Sequence, residues 1–385
     1  MKDFMQALCQ RYDGTPGFKY MDVVNETVIK GNWNTDKPGY GWENPWYKIG
    51  QDSDKNKTPA SKKENIDYSK SKKFFLLGHH FASIAGAGPI LGPVIAVAFW
   101  GWFPAILWIV LGSIFLGGVH DFSSLMCSLR EEGKSIAEVA NKIVGVRVKI
   151  LFSIFVWFAL ILVVAVFAAA TAKTLIADPK IVFPTFALIL IAILVGIMIY
   201  KMKINQFIAT FIGVLLISLS LYIGTKLPIS LTGTNPLKIW ILILLLYAGV
   251  ASVIPVNILL QPRDYLSSFI LFFGLLYGWL GLILTQPHMN TPAFIKFSTV
   301  KGPLWPMMFV FIACGAISGF HSLISSGTTA KQLASEKNAY KIGYGAMIFE
   351  GVLAILALIS VVAGLKGSGV NSYPAMVKTG DWIGT

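Results

Sequence analysis

The chain has 385 residues, 55% of them hydrophobic and 13% charged, and its mean hydropathy of +0.65 lies well above the range of a soluble domain of that length. The formal net charge is +13, but Lys and Arg flank apolar segments and do not line one face, a membrane-protein pattern that argues against a nucleic-acid surface. Cys9, Cys127 and Cys314 lie far apart with no ligand spacing; a disulfide framework or zinc finger is excluded, and Cys127 and Cys314 read as small apolar fillers.

Residues 1–73 read as a polar, basic, partly disordered cytoplasmic region without a signal peptide. Seven lysines (55, 57, 62, 63, 70, 72 and 73) crowd its last stretch, where they would lie against a membrane surface. From residue 74 to 364 a train of apolar segments follows, each near the ~20 residues that span a bilayer as a helix. The expected nine spans lie near 80–101, 103–127, 149–173, 183–201, 205–225, 238–260, 265–285, 306–325 and 342–364. The run from Ile150 to Ala172 carries no charge at all, which excludes a buried helix of a soluble protein. Between the second and third spans, SIAEVANKIV repeats its apolar residues at helical spacing and predicts an amphipathic surface helix. Residues 365–385 form a polar tail that reads as truncated.

Placing the start of the first span inside puts eighteen Lys and Arg residues on the cytoplasmic side against eight outside, so the expected orientation has a cytoplasmic N-terminus. The first span reads GHHFASIAGAGPILGPVIAV; proline removes a donor and glycine exposes backbone, so a break is expected at Ala85 to Pro89. Irregular backbone at membrane depth is tolerated only where protein or a water-filled cavity satisfies it, which makes the break a candidate site. Pro255, with Asn257 beside it, interrupts the sixth span. If spans one to five form one repeat and six onward another, the two interrupted helices are equivalent, the mark of an inverted-repeat transporter. On this count the second repeat is incomplete.

Ionisable groups inside spans are functional candidates by default. They are His79 and His80 in the first span, His120 and Asp121 in the second, His321 in the eighth and Glu350 in the ninth. An Asp beside a His can hold or pass a proton, so His120 and Asp121 are candidates for ion coupling; the alternative is a helix anchor through backbone or Arg130. Glu350 reads as structural. The eighth span is rich in hydroxyls, and Ser325 and Ser326 could give oxygen ligands to a sodium ion or simply bond neighbouring helices. His80, Ser83, Gly86, Gly88, Pro89, Pro255, Asn257, Ser318 and His321 are the expected substrate-binding set. Arg263 and Asp264 are a candidate gating pair or a plain surface pair. The histidines show no H-E-x-x-H or H-x-x-H spacing, so no metal and no catalytic residues are expected. GAGPILG (86–92) lacks the GK[ST] of a phosphate loop, and no nucleotide site is expected.

Several stretches together resemble the carbon starvation protein A family of bacterial inner-membrane transporters. They are GHHFASIAGAGPILGPV (78–94), GGVHDF (117–122), LLQPRDYLSSF (259–269), ACGAISGFHSLISSGTTAKQLASE (313–336) and IGYGAMIFEG (342–351). The resemblance covers roughly residues 57–364. It implies uptake of peptides or small carboxylates such as pyruvate in the carbon starvation response, coupled to H+ or Na+ without another cofactor. It also implies an all-α, LeuT-like five-plus-five fold. The expected partners are the bilayer and the small-molecule or peptide substrate. Two other classes stay open from the residues: a membrane-embedded metal-dependent enzyme, and a nutrient sensor without transport.

Overall fold

A computed structural model describes residues 58–62, 68, 70–231, 233, 235–256 and 258–364. Most of the predicted region 1–73, the tail 365–385 and Asn257 therefore lie outside the described residues. The protein is an all-α polytopic membrane protein: seven described helices are long and apolar enough to cross a membrane, or eight if a bent pair is one span.

That pair is α1 (Lys73–Ile84) and α2 (Gly88–Trp100), which meet at 44°. The break falls where the sequence predicts it. Ala85 leaves the helix with φ −75° and ψ 70°, and Pro89 sits in the first turn of α2, where its missing donor costs no hydrogen bond. Pro93 inside α2 removes another donor. Gly101, at φ +100°, turns the chain into α3 (Trp102–Arg130). A side chain there would also strike the carbonyl of Ala293. α3 carries a π-helical segment at Gly112–Gly117, just before His120 and Asp121.

The predicted surface helix is α4 (Ile136–Ile143). The Ser135 hydroxyl accepts from the Glu138 amide at 3.4 Å, a Ser-x-x-Glu start at the N-terminus. α5 (Val146–Ala177) is apolar on every side and packs on α4 and α8, with much of its surface facing outward. α6 (Val182–Gly196), α7 (Gln206–Lys226), α8 (Pro236–Val253) and α9 (Leu260–Thr285) follow.

Two expectations need correction. Pro255 does not interrupt a helix; it stands in the connection between α8 and α9, where its carbonyl accepts from the Ile258 amide. The expected eighth span, 306–325, is not one helix either. It divides into a π-helical turn, Leu304–Met308, a short turn Phe309–Phe311, then α10 (Ala313–Ile317) and α11 (Phe320–Gly327), separated at Ser318 and Gly319. The broken segment that packs against the first break is thus this glycine- and serine-rich one, whose small residues, and hydroxyls that bond back to the Gly319 and Ser322 carbonyls, favour a broken course over a straight helix.

α12 (Ala339–Gly364) is the central column. It packs on α1, α2 and α3, while α10 lies on α2 and α11 on α1 and α3. The core between them holds Trp100, Ile109, Met308, Ile312, Ala316, Ala354 and Leu358. Small residues let these backbones approach: a Cβ on Gly92 would lie 2.1 Å from the Phe311 carbonyl, and one on Gly117 would lie 2.4 Å from the Ala316 carbonyl. The two broken segments are pressed together at the centre of this bundle.

Candidate functional site

Three carboxylates and three histidines are buried around these breaks. Asp121, on α3 after the π-helical segment, is fully buried. Its Oδ2 lies 2.7 Å from His321 Nδ1 on α11, and its Oδ1 lies 3.0 Å from His120 Nδ1. The far nitrogen of His321, Nε2, lies 3.0 Å from Oε2 of Glu350 on α12. Cys314 on α10 closes the group, with its sulfur 3.8 Å from Glu350 Oε1 and 3.9 Å from Ser318 Oγ.

The electrostatics of this cluster are constrained. A buried carboxylate is costly unless paired, and Asp121 is satisfied by accepting from the Nδ1–H of His321. That bond leaves Nε2 of a neutral imidazole as an acceptor. Nε2 then faces Glu350 Oε2 at close range without hydrogen-bond alignment. Two acceptors at that distance repel one another unless a proton or another cation lies with them.

A second cluster joins α1 to α9. Asp264 Oδ2 accepts from Ser83 Oγ at 2.9 Å and lies 3.3 Å from His79 Nδ1. Asp264 Oδ1 takes the Nε and Nη2 protons of Arg263 at 2.9 and 2.7 Å, and Arg263 Nη1 donates to Tyr247 at 2.8 Å. His80, on the adjacent face of α1, makes a 2.8 Å contact with Thr329 Oγ1. Below it, Gln261 donates to Ser71 and Gln332, tying α9 to the entry of α1 and to the end of the second broken segment.

The structure thus gathers His80 and Ser83 with the first break, and His321, Ser318, Asp121 and His120 with the second. Gly88 and Cys314 touch across the two, since a Cβ on Gly88 would lie 2.5 Å from the sulfur. Ser326 Oγ accepts from the Ile136 amide and donates to the Ser322 carbonyl, so it holds α4 to α11. Ser325 is buried, and its hydroxyl has no hydrogen-bond partner among the described residues; the same holds for His80 Nε2 and His79 Nε2. Gly86 packs on the ring of Phe167. Arg263 and Asp264 pair as expected, but Asp264 is buried and shared with His79 and Ser83, so the surface-pair reading fails. Arg130 pairs with Glu336 instead of Asp121. Pro255 stands outside both clusters.

Sequence reasoning missed two members: Glu350, read as structural, faces His321, and Cys314, read as a filler, faces Glu350. His79, named among the ionisable candidates but given no role, meets Asp264 across 185 positions. The roles of Glu350 and Cys314 had no local signal beyond lying inside stretches that the family resemblance covers. Cys314, His321 and Glu350 place their ligand atoms within 4.8 Å of one another, a set that could hold a metal ion.

Comparison with known proteins gives the chain a family. The family model for carbon starvation protein CstA matches residues 46–381. The pyruvate/proton symporter BtsT of Escherichia coli K12 is 37% identical over 319 residues, covering 79% of this chain and 44% of the symporter. The peptide transporter CstA of Campylobacter jejuni is 35% identical over 348 residues, 85% of this chain and 48% of that protein. The peptide transporter CstA of Bacillus subtilis is 35% identical over 338 residues, 85% of this chain and 56% of that protein. These relatives are named as transporters, not enzymes, and the chain spans about half their length. No solved structure matches it. With its family model matched across most of its length and its motifs gathered at two helix breaks, this chain belongs to the carbon starvation protein CstA family.

Proposed function

We propose that the chain works as the ion-coupled core of a secondary transporter for small carboxylates such as pyruvate, or short peptides, in the bacterial inner membrane. The observation that carries this reading is the pair of broken segments crossing at the centre of the bundle, with buried ionisable groups at the crossing. A chain built only for stability would not bury Asp121, Glu350 and Asp264 there, because apolar residues fill such space at lower cost. The relatives' names, peptide transporter and pyruvate/proton symporter, supply the substrate class.

In this reading the N-terminus of α2, which has no side-chain cap, receives the substrate carboxylate. His80 and Ser325, each with an unsatisfied buried polar atom, complete the polar lining. The coupling cation, H+ or Na+, occupies the Asp121–His321–Glu350 cluster, where the facing acceptors call for positive charge. Arg263 and Asp264, bound to α1 through His79 and Ser83, act as a gate, because breaking those contacts frees α1 from α9. The five-plus-five repeat and the cytoplasmic N-terminus belong to the same proposal. Uptake of labelled pyruvate and of dipeptides into membrane vesicles carrying this chain, under an imposed pH or sodium gradient, tests it. Gradient-dependent accumulation of one substrate class is expected; uptake equal to that of empty vesicles under both gradients would sink it.

A further inference from the structure

We infer that Cys314, His321 and Glu350 form a binding site for a thiophilic divalent cation of the Zn2+ class. The site shares His321 and Glu350 with the proposed coupling position, so a bound Zn2+ would exclude the coupling cation there, but the inference stands on the geometry of the cluster alone. The ligand set is a thiol, an imidazole and a carboxylate on three separate elements, α10, α11 and α12, with ligand atoms within 4.8 Å of one another. Around a tetrahedral zinc ion, with bonds of about 2.0–2.3 Å, such atoms sit about 3.3–3.8 Å apart. Glu350 approaches both neighbours, with Oε1 3.8 Å from the sulfur and Oε2 3.0 Å from His321 Nε2, so a turn of its carboxylate and small side-chain shifts bring one oxygen to such spacing.

Three further observations point the same way. His321 Nε2 and Glu350 Oε2 are fully buried and close, yet not aligned to bond to each other. With His321 neutral and Glu350 ionised, their lone pairs are open to a common third atom. His321 is held from behind by Asp121, whose Oδ2 takes the Nδ1 proton at 2.7 Å; this carboxylate–histidine arrangement is the usual outer support of a metal-bound imidazole, fixing its tautomer and raising its basicity. Lastly, Cys314 sits against Gly88 at the first break and is only partly buried, so it is less enclosed than the other two ligand groups. On binding, the thiol loses its proton to solvent and the thiolate, imidazole and carboxylate coordinate the ion. Ser318 Oγ, 3.9 Å from the sulfur, is placed for the fourth position.

The test uses the full chain, purified in detergent without a histidine tag, and Co2+ as a spectroscopic probe. One equivalent of Co2+ per chain is expected, with the near-ultraviolet absorption of a thiolate–cobalt bond, and Zn2+ should displace it. Cys314→Ser should abolish the band, while Cys9→Ser/Cys127→Ser should keep it. Asp121→Asn, which removes the support behind His321, should weaken Zn2+ binding about 10- to 100-fold. In the unmutated chain Zn2+ should slow maleimide alkylation of Cys314, read by mass spectrometry. No thiolate–cobalt band, a band that survives Cys314→Ser, or an unchanged alkylation rate would overturn the site. None of these readouts depends on uptake, so failure of the transport proposal would leave the site standing and the reverse also holds.

Discussion

Asp121 accepts from two imidazoles that do different work. His321 is buried and bridges Asp121 to Glu350, whereas the side chain of His120 is 40% exposed. Removing the partner of a buried, hydrogen-bonded ionised group costs up to about 3–5 kcal/mol, against about 0–1 kcal/mol for an exposed contact. Asp121→Asn should therefore lower gradient-driven uptake at least about a hundredfold, and His120→Ala less than about fivefold. Equal losses in vesicle uptake would show that the pairing with His321 does not matter. The sequence made His120 and Asp121 visible because they are neighbours. It hid Glu350, because the contact with His321 is set by how α11 meets α12 and leaves no local spacing to read.

At the scale of elements, close approach of the broken segments depends on small residues. Gly92 faces the Phe311 carbonyl so closely that Gly92→Ala must push α2 off the second segment, at about 1–3 kcal/mol. Gly249, inside α8, has nothing within 4 Å, so Gly249→Ala should leave thermal stability unchanged or raise it slightly. Melting of the two variants in detergent checks the contrast. α4 offers a second case: Ser135→Ala removes the N-terminal cap and should loosen that helix by about 1 kcal/mol, seen as faster amide exchange confined to residues 136–143. Both the break at Ala85 to Pro89 and the short helix at 136–143 were legible, since Gly, Pro and a Ser-x-x-Glu start act locally. The second break was assigned to Pro255, and wrongly. Proline is an equally good helix stop between spans, and only packing shows that the disruption at Ser318–Gly319 is the one that meets α2.

Across the whole molecule, the apolar train and its punctuation made the membrane class readable from composition, while which helices touch was not, because lipid-facing and buried helices are equally apolar. α5 faces outward and α12 forms the core, yet their sequences are similarly hydrophobic. The orientation proposed from the distribution of Lys and Arg predicts that a cysteine at Lys142 is labelled from the cytoplasmic face and one at Lys238 from the opposite face of intact cells; the reverse pattern would invert the topology. The central claim, that substrate moves with a cation seated at Asp121, His321 and Glu350, is tested most directly by counting cations. In proteoliposomes with internal proton and sodium indicators, a pulse of pyruvate or dipeptide should bring H+ or Na+ inward with the substrate, and Asp121→Asn should abolish that entry. Substrate flux without cation entry, or undiminished cation entry in Asp121→Asn, would contradict the account.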